Sequence, residues 1–166
     1  MKKHLLLVLL FIIGCSKEII GEKTIDGAGD PNDDDQCSLS FNFNQSSSQA
    51  FYYFRSVDIE GEPVDTLDWV GAFNGDICVG SKQWNTGLCG GGVCDLPVMG
   101  YDVFDQEGTA GYMQPGDLPT FKIYDVSEGV IYEATTTDNV PIWQNNMTSS
   151  VLDTLRATIS SVADCQ

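Results

Sequence analysis

Apolar and polar residues alternate along much of the chain after Cys37, and this period of two leaves little room for anything but β-structure. Such alternation is typical of strands that have one buried face. In residues 39–43, Leu39, Phe41 and Phe43 alternate with serine and asparagine, which predicts a first strand. No apolar pattern with a helical period continues over three turns. The sequence therefore predicts an all-β domain.

The strongest local signal is a hairpin at Asn74-Gly75-Asp76, which is flanked by apolar runs at 69–73 and 77–80. Asn-Gly between apolar runs favours a type I′ turn, because both residues tolerate a positive φ. Further strands are predicted at residues 51–59, 96–99, 120–125, 130–135 and 152–159. These strands and the turns between them predict that residues 37–166 form a single antiparallel β-sandwich, Ig-like or jelly-roll-like, of about seven to nine strands.

Residues 1–14 have the pattern of a secretion signal. Lys2 and Lys3 precede an apolar run at 5–13 that is too short to cross a bilayer as a helix. The sequence Ile12-Ile13-Gly14-Cys15 resembles the lipobox of bacterial lipoproteins, in which the cysteine receives diacylglycerol before cleavage. The alternative, an ordinary secretion signal, needs a small-x-small cleavage site that this sequence lacks. We therefore predict a lipoprotein signal peptide at 1–14 and lipidation of Cys15.

Residues 15–36 are predicted to be a lipidated, acidic and flexible tether, because they carry many acids and almost no large apolar side chain after Ile20. Two or three acyl chains anchor a protein stably to a membrane, whereas one holds it only marginally. Ser16, rather than aspartate, follows Cys15, and by resemblance to lipoprotein sorting rules this favours the outer membrane. The expected location is the outer membrane or cell surface, outside the cytoplasm, with the leaflet left open.

Charge and histidine content exclude several classes of partner and chemistry. The chain has 8 basic and 24 acidic residues, a formal net charge of −16, and loss of Lys2 and Lys3 with the signal peptide takes it to −18. Such a surface repels phosphate, so no nucleic-acid partner is expected. The only histidine, His4, leaves with the signal peptide. This excludes histidine-based catalysis and histidine-ligated zinc from the mature chain.

The cysteines that follow the lipidated one lie in a compartment that favours disulfides. We predict a Cys37–Cys165 bridge that ties the first strand to the last. We also predict a Cys89–Cys94 bridge, since the three glycines between these residues let the chain fold back on itself. Cys78 lies between two apolar residues and is predicted to be a small buried thiol.

A long, glycine-broken segment at residues 85–119 is where we expect binding, because long irregular loops in compact domains are usually functional or mobile. Aromatic faces beside acids bind sugar rings and cations. The aromatic candidates for ligand binding are Trp84, Tyr101, Phe104 and Tyr112. No cofactor is expected, but Asp102, Asp105 and Glu107 are close enough in sequence for a turn to gather them around Ca²⁺, which makes them candidate calcium ligands. The plainer alternatives are tryptophans that belong to the core and acids that are merely solvated.

Four segments of the chain share their pattern with known bacterial proteins: DWVGAFNGDICVG at 68–80, PVMG at 97–100, TAGYMQPG at 109–116 and FKIYD at 121–125. Together they resemble a recurrent module of secreted and surface-attached bacterial proteins. The resemblance implies a β-sandwich of the kind that accompanies adhesion, sorting or carbohydrate-associated domains, and it implies no catalytic activity. Similar modules carry a Gly-Asp-Asp-Gly-like loop after Val-Met-Gly, whereas the acids here are spread over residues 102–107.

These observations favour a non-catalytic binding or adhesion module of a lipoprotein, held at the membrane by its lipid. Its expected partners are glycans or other surface proteins. One alternative is a glycoside hydrolase that uses two carboxylates, for which 24 acids offer material but no marked pair. Another is a structural subunit that docks into an assembly of surface proteins.

Overall fold

The computed structural model describes residues 41–163 and shows an all-β domain. Its strands are β1 (Gln49–Ile59), β2 (Glu62–Pro63), β3 (Trp69–Asn74), β4 (Ile77–Gln83), β5 (Cys94–Met99), β6 (Thr120–Asp125), β7 (Val130–Thr135) and β8 (Thr148–Ala163). Two short 3-10 turns, Thr86–Leu88 and Gly90–Gly92, are the only helical segments within this range. No helix in the described residues is long and apolar enough to cross a membrane.

The strands form one sheet in the order β2-β1-β8-β7-β6-β3-β4, and β5 also pairs with β1. All pairs are antiparallel except β1 with β8, which run parallel. The sheet curls into a half-barrel, in which Gly80 of β4 lies against Pro97 of β5. The expected antiparallel sandwich is therefore corrected to a curled mixed sheet. A short turn makes the two strands that it joins antiparallel. β1 and β8 are joined by no such turn, because most of the chain lies between them, so local sequence patterns carry no information on their relative direction.

The main core fills the inside of the curl. Its largest fully buried side chains include Tyr52, Phe54, Leu96, Ile123 and Leu155. The rings of Phe54 and Phe121 meet edge to face with centroids 5.1 Å apart. Trp143 also lies in this core and donates its indole N–H to the carbonyl of Val98 over 3.0 Å. The core thus ties β1, β5, β6 and β8 together.

A second cluster lies on the opposite face of the sheet and consists of Phe41, Phe73, Cys78, Tyr124 and Ile131. Phe41 packs edge to face on Phe73 at 5.5 Å, and its carbonyl accepts a hydrogen bond from Ser81 Oγ. The predicted strand at 39–43 is wrong for residues 41–43, which are not in a strand. The apolar alternation arises there because Phe41 covers the sheet instead of extending it. Residues 39–40 lie outside the described ones.

The hairpin between β3 and β4 is confirmed, but its turn is shifted by one residue. Asn74 still pairs with Ile77 in the ladder, so Gly75 and Asp76 form the turn. Only Gly75, with φ +61°, has a positive φ, which is the pattern of a type II′ turn and not of type I′. Asn74 is held in the strand because its amide donates to the carbonyl of Gly111 over 3.0 Å.

The Cys89–Cys94 disulfide is present and fixes the segment that enters β5. Cys78 is buried and has no disulfide partner. Burial raises the pKa of its thiol to about 11, so it stays protonated and unreactive at neutral pH. The predicted Cys37–Cys165 bridge and the predicted lipidation of Cys15 fall on residues outside the described ones.

Candidate functional site

The segment after β5 is a compact loop built around the buried carboxylate of Asp102. One oxygen of Asp102 accepts hydrogen bonds from the Ser47 backbone N–H at 2.9 Å and from Ser47 Oγ at 2.6 Å. The other accepts from the backbone N–H of Phe104 at 2.9 Å. The carboxylate therefore ties the loop to the segment that precedes β1.

A second set of hydrogen bonds closes the loop on itself. The backbone N–H of Asp102 donates to Thr109 Oγ1, and this hydroxyl donates to the carbonyl of Asp105 over 2.6 Å. Thr109 is fully buried. The amide of Asn44 donates to the carbonyl of Gly108 over 2.7 Å. The buried polar groups of Asp102 and Thr109 thus have hydrogen-bond partners, and a satisfied network of this kind favours a single conformation of the loop.

This conformation holds two apolar side chains away from the domain. Phe104 is 93% exposed and its neighbour Val103 is 62% exposed. We call these two residues the loop tip. The acids Asp105 and Glu107 follow it and are also exposed. The loop tip is thus an apolar contact point with negative charge beside it.

Only one of the four predicted ligand-binding aromatics is freely accessible. Trp84 is 2% exposed and packs against Phe54 in the core. This agrees with the alternative that the tryptophans belong to the core. The indole N–H of Trp84 is buried and has no hydrogen-bond partner among the described residues. Tyr112 is 5% exposed, and its hydroxyl accepts from the backbone N–H of Asn44. Tyr101 is half-buried, which leaves Phe104 as the exposed ring.

The three predicted calcium ligands differ in their surroundings. Asp102 is turned inward, and hydrogen bonds from Ser47 and from the N–H of Phe104 hold its pKa below the usual range. Asp105 accepts from the backbone N–H of Gly108 at 3.1 Å, and Glu107 is exposed. No group of three possible metal ligands is gathered within residues 41–163. Calcium binding stays a prediction.

A shallow groove of about 430 Å³ lies beside the loop. It is lined by Asn42 and Asn44 from the segment before β1, by Ile77 from β4, and by Ala110 and Tyr112 from the loop. A smaller cleft of about 200 Å³ lies over the second cluster, between Phe41, Trp69 and Tyr124. Gly108 and Ala110, which follow the loop tip in the sequence, also line the groove.

Asp102→Asn is expected to lower the melting temperature by several degrees at neutral pH, because an amide nitrogen cannot accept the hydrogen bonds that the carboxylate oxygens accept. A lowered folded pKa means that this stabilisation is present above the unfolded pKa of about 4 and is lost as the pH falls through the folded value. The melting temperatures of wild type and variant, measured from pH 7 downward, should therefore converge in acid.

Asp76→Asn is the matched control, since it removes the same charge from an exposed turn. An equal effect of both variants would contradict the role of the Asp102 hydrogen bonds.

Melting curves recorded with calcium and with chelator test the calcium prediction. A calcium-dependent rise in wild type that vanishes in Asp102→Asn with Asp105→Asn supports the site, and identical melts leave the loop unliganded.

Comparison of the chain with models of known families, with characterised proteins and with solved structures gives no match.

Proposed function

We propose that this chain is a non-catalytic binding or adhesion module, anchored at the outer membrane or cell surface by lipid on Cys15, that docks to another surface protein through its loop tip. The observation that carries the proposal is the 93% exposure of Phe104 on a loop held by the buried Asp102. The resemblance of four sequence segments to a recurrent module of secreted and surface-attached bacterial proteins supports the same conclusion.

The loop tip has the physical properties of a binding anchor. A phenylalanine side chain left in water forgoes about 1.5–3 kcal/mol that burial provides. The hydrogen bonds of Asp102 and Thr109 stop the loop from relaxing to bury the ring against its own domain. A partner with an apolar pocket gains that energy and has little loop entropy to overcome, because the loop is already ordered. Aromatic anchors of this kind dominate many protein interfaces.

The charge around the tip defines the partner further. Asp105 and Glu107 follow the loop tip and are exposed, and the whole chain carries a formal charge of −16. An anionic surface is repelled by such a field, whereas basic groups around an apolar pocket are attracted. The partner we propose is a surface protein with an apolar pocket and a basic rim.

The glycoside hydrolase alternative has weaker support. It needs two carboxyl groups that face one cleft. The clefts beside Phe41 and Tyr112 are lined by no acid, and the two neighbouring clefts at the end of β7 are lined by Asp153 and Glu133, which are ion-paired with Arg55 and Lys122. A structural subunit remains close to our proposal, since it too docks to surface proteins.

Phe104→Ala is expected to weaken binding of the partner at least tenfold, because truncation of a hot-spot aromatic costs about 2 kcal/mol or more. The partner is first captured by a photoreactive phenylalanine analogue at position 104 in intact cells, with the same analogue at position 88 as control. Affinities of the purified captured protein are then measured for wild type, Phe104→Ala and Leu88→Ala. Leu88 is 85% exposed and precedes β5, whereas the loop that carries Phe104 follows β5.

Equal affinity of the captured protein for wild type and Phe104→Ala would contradict docking through the loop tip. A glycan array probed with the same three chains distinguishes a sugar ligand, since loss of array binding in Phe104→Ala alone would replace the protein partner with a glycan. Turnover of chromogenic glycosides would contradict the non-catalytic part of the proposal.

A further inference from the structure

Two neighbouring clefts meet at the C-terminal end of β7. The first has a volume of about 360 Å³ and is lined by five threonines: Thr135, Thr136, Thr137, Thr154 and Thr158. The second, of about 240 Å³, shares Thr135 and Thr136 and is lined on its far side by Leu118, Pro119 and Val140. We call the two together the threonine groove. It has one hydroxyl-rich half and one apolar half.

The hydroxyl-rich half offers both donors and acceptors. Thr154 Oγ1 lies 2.7 Å from Ser56 Oγ, and Thr158 Oγ1 lies 3.0 Å from Ser160 Oγ. A hydroxyl has one donor and two acceptor lone pairs, so one such contact leaves further hydrogen-bonding capacity. Thr135 on the same groove is exposed. This half of the groove thus matches a ligand that itself carries hydroxyl groups.

Arg156 provides a donor with a fixed orientation in the groove. Its Nε and Nη2 donate to the two carboxylate oxygens of Asp58 at 2.6 and 2.7 Å. Asp58 is buried, but the Arg156 side chain is 56% exposed. A guanidinium has five N–H donors, so this bidentate pair leaves others for a ligand. Because Asp58 already orients the group, ligand binding costs little side-chain entropy.

The charges of the groove favour a neutral ligand. Each charged side chain that lines the groove has a partner of opposite charge: Arg156 pairs with Asp58, Asp153 with Arg55 and Glu133 with Lys122. The groove therefore has no excess positive charge to attract an anion, and the net charge of −16 repels one. The apolar half, with Leu118, Pro119 and Val140, suits the C–H face of a sugar ring.

We propose that the threonine groove is a second binding site, separate from the loop tip, and that it takes a segment of a neutral oligosaccharide. Threonine hydroxyls and the Arg156 fork bind the sugar hydroxyls. The apolar half covers one ring face.

Calorimetric titration of the full chain in a sugar-free detergent tests the proposal. The probes are maltohexaose, cellohexaose, xylohexaose and chitohexaose, with hexagalacturonate as the anionic counterpart. At least one neutral hexamer is expected to bind with a Kd of about 1 mM or lower. Thr135→Val with Thr137→Val removes two hydroxyls at nearly constant volume, and we expect it to weaken that binding about tenfold.

Thr66→Val is the matched control, because Thr66 is exposed and lies outside the groove. Arg156→Lys keeps the charge but loses the fork, and it should weaken binding while the melting temperature reports any loss of folding. Binding of no neutral hexamer, tighter binding of hexagalacturonate, or equal losses in Thr66→Val and the groove variant would overturn the proposal. Loss of sugar binding in Phe104→Ala, with the groove variant unaffected, would assign the sugar to the loop tip instead.

Discussion

The Cys15→Ser chain is expected to lose its lipid and to leave the detergent phase in a phase-partition experiment. In bacterial lipoproteins, the thioether to diacylglycerol forms on the lipobox cysteine and must precede cleavage by the lipoprotein peptidase. Without it, the uncleaved precursor accumulates and no acyl chain holds the protein. Two or three acyl chains give stable anchoring, so the change in partition should be nearly complete. Incorporation of labelled palmitate and the mass of the mature N-terminus measure the two steps separately.

Ser16→Ala is the control for this experiment, because it changes the residue beside the cysteine and keeps the sulfur. It should be lipidated, cleaved and partitioned like wild type. Normal labelling and partition of Cys15→Ser would refute the lipoprotein interpretation, and with it the location that we propose for the binding module.

Local patterns predict the hairpin strands well. The predicted bounds of β6 and β7 match those observed, because each strand buries one face and a short turn separates them. The predicted strand at 96–99 is confirmed within β5, Cys94–Met99. Such agreement is expected where alternation and turn residues lie within a few positions of one another.

Long-range features of the fold do not follow from these patterns. Val57 pairs with Leu155 in the parallel ladder of β1 and β8, and nothing near either residue encodes a partner about a hundred positions away. Phe41 is a second example. Its alternation with polar residues predicts that one face of the segment is buried, but it does not show whether the segment is a strand of the sheet or packs on top of it. Residues 70–73 of β3 are all buried, because the main core covers one face of this strand and Phe41 covers the other.

The candidate site was predictable as a region but not as individual residues. Glycine-rich composition identifies the loop, whereas exposure depends on contacts distant in sequence. Trp84 follows β4 into the core beside Phe54, while Phe104 is held outward because Asp102 bonds to Ser47. The threonine groove has no local signature, since β7, β8 and the segment before β6 meet only in the folded sheet.

Gly80→Ala is expected to lower the free energy of unfolding by about 3 kcal/mol or more, because the new side chain meets backbone and not a flexible side chain. A Cβ on Gly80 would lie 1.8 Å from the carbonyl oxygen of Pro97 and 2.8 Å from its carbon. Pro97 pairs with Phe51 of β1 on the other edge of β5, so the strand cannot withdraw without breaking that ladder. Urea unfolding of the full chain measures the loss.

Gly90→Ala is the matched control, since a Cβ there has no atom within 4 Å and Gly90 is not among the glycines with positive φ. It should unfold close to wild type. The contrast tests the curl of the sheet itself, because only a sheet whose two ends approach one another places β4 against β5. Pro97 has no amide hydrogen and cannot donate a ladder hydrogen bond to β4. At this position β4 and β5 therefore meet through the close packing of Gly80 on the Pro97 backbone. Near-native stability of Gly80→Ala would mean that the two strands lie farther apart and that the sheet is more open than a half-barrel.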